Sequence, residues 1–121
     1  MTNSINIQNA RRILAGQFRA LTSLANRWLD NPDQIYLPKF DDAVTRANAV
    51  AGFCAVAGII NSDAFTKLYT LTNRLGEAVA DLEAAPRRAM QLMEPGDFAR
   101  TKYLLSVAID DLCRELTFAV D

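Results

Sequence analysis

Apolar residues recur every three or four positions through most of this chain, a spacing typical of amphipathic helices. The first such stretch, residues 4–29, has one apolar face, and Ser4 or Asn3 is suited to cap its start. The apolar face consists of Ile7, Ala10, Leu14, Phe18, Leu21, Ala25 and Trp28. The sequence DNPD at residues 30–33 should end this helix, because Asn and Asp favour turns and proline disfavours a helical residue before it.

The segment 30–38 is expected to fold as a loop against the helices, because three of its residues are large and apolar. These residues are Ile35, Tyr36 and Leu37. A second helix should begin between Pro38 and Asp42, where proline suits the first turn and carboxylates favour the positive end of the helix dipole.

The second helix is expected to run to about Ile60, and its second half is apolar on every side. The apolar run AVAGFCAVAGII, residues 49–60, is shorter than the roughly 20 residues that span a bilayer. We therefore expect this half to be buried all round. Ala47, Ala51 and Ala55 recur every four residues and should let a neighbouring backbone approach closely.

The sequence Asn-Ser-Asp at residues 61–63 should end the second helix and cap a third, which gives an antiparallel hairpin because the connection is short. The third helix is expected to end at Pro86. One extra helical turn is predicted at Ala89–Met93, and Asp97 should cap the fourth helix.

The fourth helix has two apolar faces. Its main face consists of Phe98, Leu105, Ala108, Ile109, Leu112, Cys113 and Leu116. A second face carries Tyr103, Val107 and Phe118. A bundle needs one apolar face per helix, so the second face should be covered either by another polypeptide, such as a second copy of this chain, or by the 30–38 loop.

These patterns predict an all-α fold, a single bundle of four main helices with a short extra helical turn between the third and the fourth. No run of alternating β-branched residues indicates a strand. With 121 residues, the chain is expected to form one domain, residues 1–121. No motif in it identifies a family.

Charge is distributed unevenly along the chain. Residues 1–29 contain four arginines and no acidic residue, whereas residues 30–121 contain nine basic and fourteen acidic residues. Arg12 and Arg19 lie on the polar side of the first helix. They can form a solvated face, bind an acidic protein partner through forked contacts, or bind nucleic acid. The sequence pI of about 5.4 disfavours nucleic acid among these three.

Most carriers of catalytic chemistry are missing. The chain has no histidine, which excludes Ser-His-Asp catalysis and HExxH zinc sites, and its glycines form no phosphate-binding loop. Asp110, Asp111 and Glu115 are interpreted as a solvated helix face, with Asp110 placed to pair with Arg114, and a metal site there is disfavoured. Both cysteines are expected to be buried and reduced.

The sequence therefore favours a non-enzymatic protein that acts by binding another protein, as an adaptor, a chaperone-like factor or an inhibitor. We expect no cofactor, no metal and no membrane insertion, a cytoplasmic location because no signal peptide is visible, and a homodimer. The expected partner-binding residues are Arg12, Arg19, Tyr103, Val107 and Phe118. The alternative is a nucleic-acid-binding regulator that uses the arginines of the first helix.

Overall fold

The first helix, α1, spans Ser4–Asp30 and buries the predicted apolar face from Leu14 to Trp28, whereas Ile7 and Ala10 are half-buried. The structure is a computed structural model that describes the backbone of residues 4–92 and 95–120 and the side chains of residues 6–85 and 98–120. Helix α1 ends as predicted, because the N–H of Asn31 donates to the carbonyl of Arg27 and Pro32 follows. Asn3, one of the two expected caps, lies outside the described residues.

The connection after α1 contains a short 3-10 helix, Pro32–Gln34, which packs against α1 and the third helix. Ile35 is half-buried against the core, as expected for a loop folded onto the bundle. Leu37 is half-buried as well, but it is already the first residue of the second helix, which starts one residue before the expected range of Pro38 to Asp42. The expectation was wrong for Tyr36, whose side chain is exposed.

The second helix, α2, spans Leu37–Val56 and ends four residues before the expected end at Ile60. Gly58 adopts a positive φ of 75°, which costs glycine little because it has no side chain. The N–H of Ile59 donates to the carbonyl of Cys54 at 2.8 Å, and the N–H of Gly58 donates to the carbonyl of Ala55 at 3.2 Å. This pair of bonds is a Schellman motif, and it ends the helix.

The prediction that the second half of α2 is buried all round was wrong. Phe53 is 66% exposed and Val56 is 91% exposed, whereas Ala51 and Cys54 on the opposite side are buried. Helix α2 packs mainly against its two neighbours in sequence, α1 and the third helix. Two neighbours cover only part of a helix surface, so an apolar residue on the outer side stays in contact with water.

The third helix, α3, spans Ser62–Leu92. The prediction of a cap at residues 61–63 is confirmed, because the N–H of Ala64 donates to Oδ1 of Asn61 at 2.7 Å. The prediction that Pro86 ends the helix was wrong. The backbone stays helical to Leu92, so most of the segment expected as a separate turn belongs to α3, and Met93 lies outside the described residues.

The fourth helix, α4, spans Pro95–Val120 and starts two residues before Asp97, whose side chain lies outside the described residues. Its contact with α3 is the most extensive between any two helices. This packing explains why α3 continues through proline, since a proline inside a helix costs about 3 kcal/mol, which burial along a long interface can offset.

Most of the main apolar face predicted for α4 packs into the core. Its buried residues are Leu105, Ile109, Leu112 and Leu116, and Phe98 and Ala108 are partly buried against them. Cys113 is exposed, because at about 100° per residue it lies at the edge of this face, so the expectation that it is buried was wrong.

The four helices are arranged in a ring. Helix α1 packs against α2 and α4, and α3 packs against the same two helices from the other side. One core cluster receives buried side chains from all four helices, and the described residues contain no β-strand. The predicted all-α four-helix bundle is therefore confirmed, and each helix has a remaining outer face on which a binding surface can be built.

Candidate functional site

Arg12 and Arg19 are exposed, and the structure brings them together in a groove between α1 and the carboxyl end of α4. The volume of this groove is about 430 Å³. We call it the basic groove, and its lining residues are Gln8, Arg11, Arg12, Ala15, Arg19 and Val120. Because Ala15 and Val120 are apolar, the groove combines a positively charged wall with a small apolar surface.

Arg11 is a functional candidate that the sequence did not single out. Its side chain is half-buried, and its Nε atom is buried without a hydrogen-bond partner. An unpaired buried donor of this kind costs about 1–3 kcal/mol. Arg11 lies beside Arg12 in the sequence but on the side of α1 that faces α4. It therefore lines the groove only because α4 packs beside α1.

The charges of the basic groove are not neutralised within the described part of the chain. No carboxylate there forms an ion pair with Arg11, Arg12 or Arg19, and the described lining contains no acidic residue. Three guanidinium groups at one groove create a local positive potential, although the chain as a whole has a formal net charge of −1. The groove is therefore suited to an anionic ligand.

Tyr103, Val107 and Phe118 do not form one continuous surface. Tyr103 is 66% exposed and Phe118 is 72% exposed, but they are 15 residues apart, roughly 22 Å along the helix axis at 1.5 Å per residue. Between them on the same side of α4 lie the charged side chains of Asp110 and Arg114. Phe118 is therefore a separate apolar residue at the carboxyl end of the helix.

The 30–38 loop does not cover this side of α4. Its 3-10 helix packs against α1 and α3, and both Tyr103 and Phe118 remain exposed. Of the two ways in which the second apolar face was expected to be covered, the loop is excluded, and covering by a separate polypeptide stays a prediction.

Val107 lies in a second groove, between α3 and α4, whose volume is about 540 Å³. Its apolar residues are Ala78 and Ala85 on α3 and Leu104, Val107 and Ala108 on α4. Its polar and charged residues are Arg74, Glu77, Asp81, Arg100, Thr101 and Asp111. An apolar floor with charges of both signs at the edge is typical of a surface that receives a helix.

The carboxylates of α4 form an ion pair, but not the expected one. Asp111, and not Asp110, lies 3.7 Å from Arg114, and both partners are partly exposed. Among the described residues, no group of three or more His, Cys, Asp or Glu side chains is placed to hold a metal ion.

The surface of α2 carries an apolar patch that the sequence reasoning assigned to the core. It contains Phe53 and Val56. On α3, the Cε1 of Phe65 lies 3.9 Å from the position that a Cβ on Gly52 of α2 would occupy, and the ring centres of Phe65 and Tyr69 are 6.1 Å apart. The only sequence signal for it was the length of the apolar run. A long apolar run indicates an exposed apolar patch only when the number of neighbouring helices is known, because the two neighbours of α2 cannot cover all of its surface.

We expect the two cysteines to differ in their reaction with a thiol reagent such as DTNB. Burial raises the pKa of the Cys54 thiol, which lowers the fraction of reactive thiolate, and it also blocks access, whereas Cys113 is exposed. In the native protein Cys113 should react and Cys54 should not, and both should react in denaturant. Mass spectrometry of labelled peptides checks this, and rapid native labelling of Cys54 would contradict its burial.

None of the described helices combines the length and the apolar character needed to cross a lipid bilayer. Comparison with protein-family models, with curated protein sequences and with solved structures found no match to this chain.

Proposed function

We propose that this protein acts by binding protein, without catalysis, and that its first partner is a second copy of the same chain. The observation that carries the proposal is a strip along α4, which consists of Arg100, Leu104, Val107 and Asp111. These residues are spaced by four, three and four positions, so they lie along one side of the helix. All four line the groove between α3 and α4.

The charge pattern of this strip is self-complementary. Arg100 lies four residues before Leu104, and Asp111 lies four residues after Val107. When two copies of α4 lie antiparallel across a two-fold axis between residues 105 and 106, Leu104 faces the partner's Val107. Arg100 then faces the partner's Asp111, twice in each dimer, as an isologous contact requires.

The groove supplies the shape for this contact. Helix α4 of the second copy would lie along the apolar floor, and the edge residues of α3 would surround it. This arrangement would remove Leu104 and Val107 from water, and Tyr103 beside the strip would join the interface. Apolar residues at the centre with charged residues at the edge are the usual organisation of a protein interface.

The class of function we propose is an adaptor, a chaperone-like factor or an inhibitor that works as a homodimer. Dimerisation through α4 leaves the basic groove and the outer face of α2 accessible on each copy. We also propose a cytoplasmic location, which is supported by two cysteines that are both unpaired. A nucleic-acid-binding regulator is the alternative, favoured by the three arginines of the basic groove.

The test is a charge exchange measured by sedimentation velocity. Arg100→Glu places two carboxylates opposite each other in the dimer, and Asp111→Arg places two guanidinium groups opposite each other. Each single variant should weaken dimerisation about tenfold or more, because like charges at an interface repel. An equimolar mixture of the two variants should restore a heterodimer with wild-type affinity, since both of its contacts pair opposite charges.

Matched controls lie on the outer face of α2. Arg46→Glu and Asp42→Arg make the same charge changes at exposed positions away from α4 and should leave dimerisation unchanged. The proposal is wrong if the wild-type chain is monomeric at high micromolar concentration. It is also wrong if a dimer forms but mixing the two α4 variants does not restore it.

A further inference from the structure

We infer that the basic groove is a binding site for a phosphate monoester with a small organic group attached. The groove holds three guanidinium groups, from Arg11, Arg12 and Arg19, and no described acidic residue lines it. Among the described residues these three arginines have no acidic counter-charge, so the groove has the potential to bind an anion. It is separate from the strip on α4.

The unpaired Nε–H of Arg11 is a second observation in favour of this site, independent of the number of charges. Its Nε is buried and has no hydrogen-bond partner, although a guanidinium group presents its N–H donors as a rigid fork. Because the Nε atom itself is buried, an oxyanion would satisfy this donor when the Arg11 side chain turns outward on binding, so that its Nε–H and one Nη–H meet the ligand together. Such charge-assisted, two-point contacts are the strong form of hydrogen bond in proteins.

The number of charges favours a phosphate over a carboxylate. A phosphate monoester carries a charge of about −1.5 to −2 at neutral pH and has three acceptor oxygens. A carboxylate carries one charge, so it balances less of the positive charge of the three arginines. Gln8 adds a neutral amide donor at the same groove.

The apolar part of the groove favours an organic group on the phosphate. The half-buried side chain of Val120 supplies apolar contact beside the arginines. The same monoester chemistry is presented by a small free metabolite and by a phosphorylated side chain of another protein. A nucleic acid presents singly charged diesters, and it is the competing ligand that the experiment must separate.

The experiment is an NMR titration of the full chain with three probes: phenyl phosphate, a phosphoserine peptide and a single-stranded oligonucleotide. The Nε–H signal of Arg11 should shift on addition of phenyl phosphate and saturate, with smaller shifts for the signals of Arg12 and Arg19. The Arg11→Lys variant keeps the positive charge but lacks the planar guanidinium group that donates two parallel hydrogen bonds. It should therefore bind phenyl phosphate at least tenfold more weakly than the wild type. Whichever monoester probe binds more tightly identifies the source of the phosphate.

Arg27→Lys is the matched control, because Arg27 lies on α1, is exposed and does not line the basic groove. It should bind phenyl phosphate as the wild type does. The inference is overturned if phenyl phosphate causes no saturable shift, or if Arg11→Lys binds it unchanged. It is also overturned if the oligonucleotide binds at the three arginines and phenyl phosphate does not displace it, since the site is then a nucleic-acid surface.

Discussion

Replacing Phe40 by alanine will lower the free energy of unfolding by about 3–5 kcal/mol, the usual range for removing a buried aromatic side chain. Phe40 is 2% exposed and connects three helices. Its ring centre lies 6.0 Å from that of Trp28 on α1, and its Cε1 lies 3.6 Å from the position that a Cβ on Gly76 of α3 would occupy. The rigid neighbouring helices can close this space only in part, so a cavity remains.

Urea unfolding followed by circular dichroism measures this change. Phe53→Ala is the matched control, because it makes the same substitution on the same helix at a side chain that is 66% exposed. It should alter stability by no more than about 0.5 kcal/mol, as is usual for surface positions. Equal effects at the two positions would mean that Phe40 does not join the three helices.

Hydrophobic periodicity predicted the helices because it records which side of each helix faces the core. The apolar stripe of α1 and the cap at Asn61 were both readable from local sequence, and both are confirmed. The early end of α2 was readable as well, since Gly58 follows Ala57 in the position of a helix-ending glycine, but the apolar run continues past it. Helical periodicity cannot separate a helix from an apolar turn that follows it.

The continuation of α3 through Pro86 could not be predicted from local sequence. Proline is unfavourable inside a helix whatever its neighbours in sequence are. The long packing surface with α4 that stabilises α3 depends on the tertiary structure, which local sequence does not reveal. The exposure of Val56 has a similar origin, because the number of helices around α2 is a property of the bundle.

In the candidate site too, some residues could be predicted from the sequence and others depend on how the helices pack. The asymmetry of charge indicated Arg12 and Arg19, and the structure places both in one groove. Arg11 was missed because its role depends on α4 packing beside it. The helical angle alone grouped Phe118 with Tyr103, because an angular projection ignores the distance along the helix axis and the charged residues between them.

Replacing Ala51 by leucine should destabilise the bundle by about 1–3 kcal/mol, because overpacking forces side chains or backbones apart. Ala51 is 1% exposed, and Ala47 on the same face is fully buried, so α2 approaches the core through small side chains. Ala49→Leu on the exposed side of α2 adds the same atoms and should be nearly neutral. Thermal and urea unfolding of both variants measure the difference, and an unchanged midpoint for Ala51→Leu would show that α2 is not packed closely at this position.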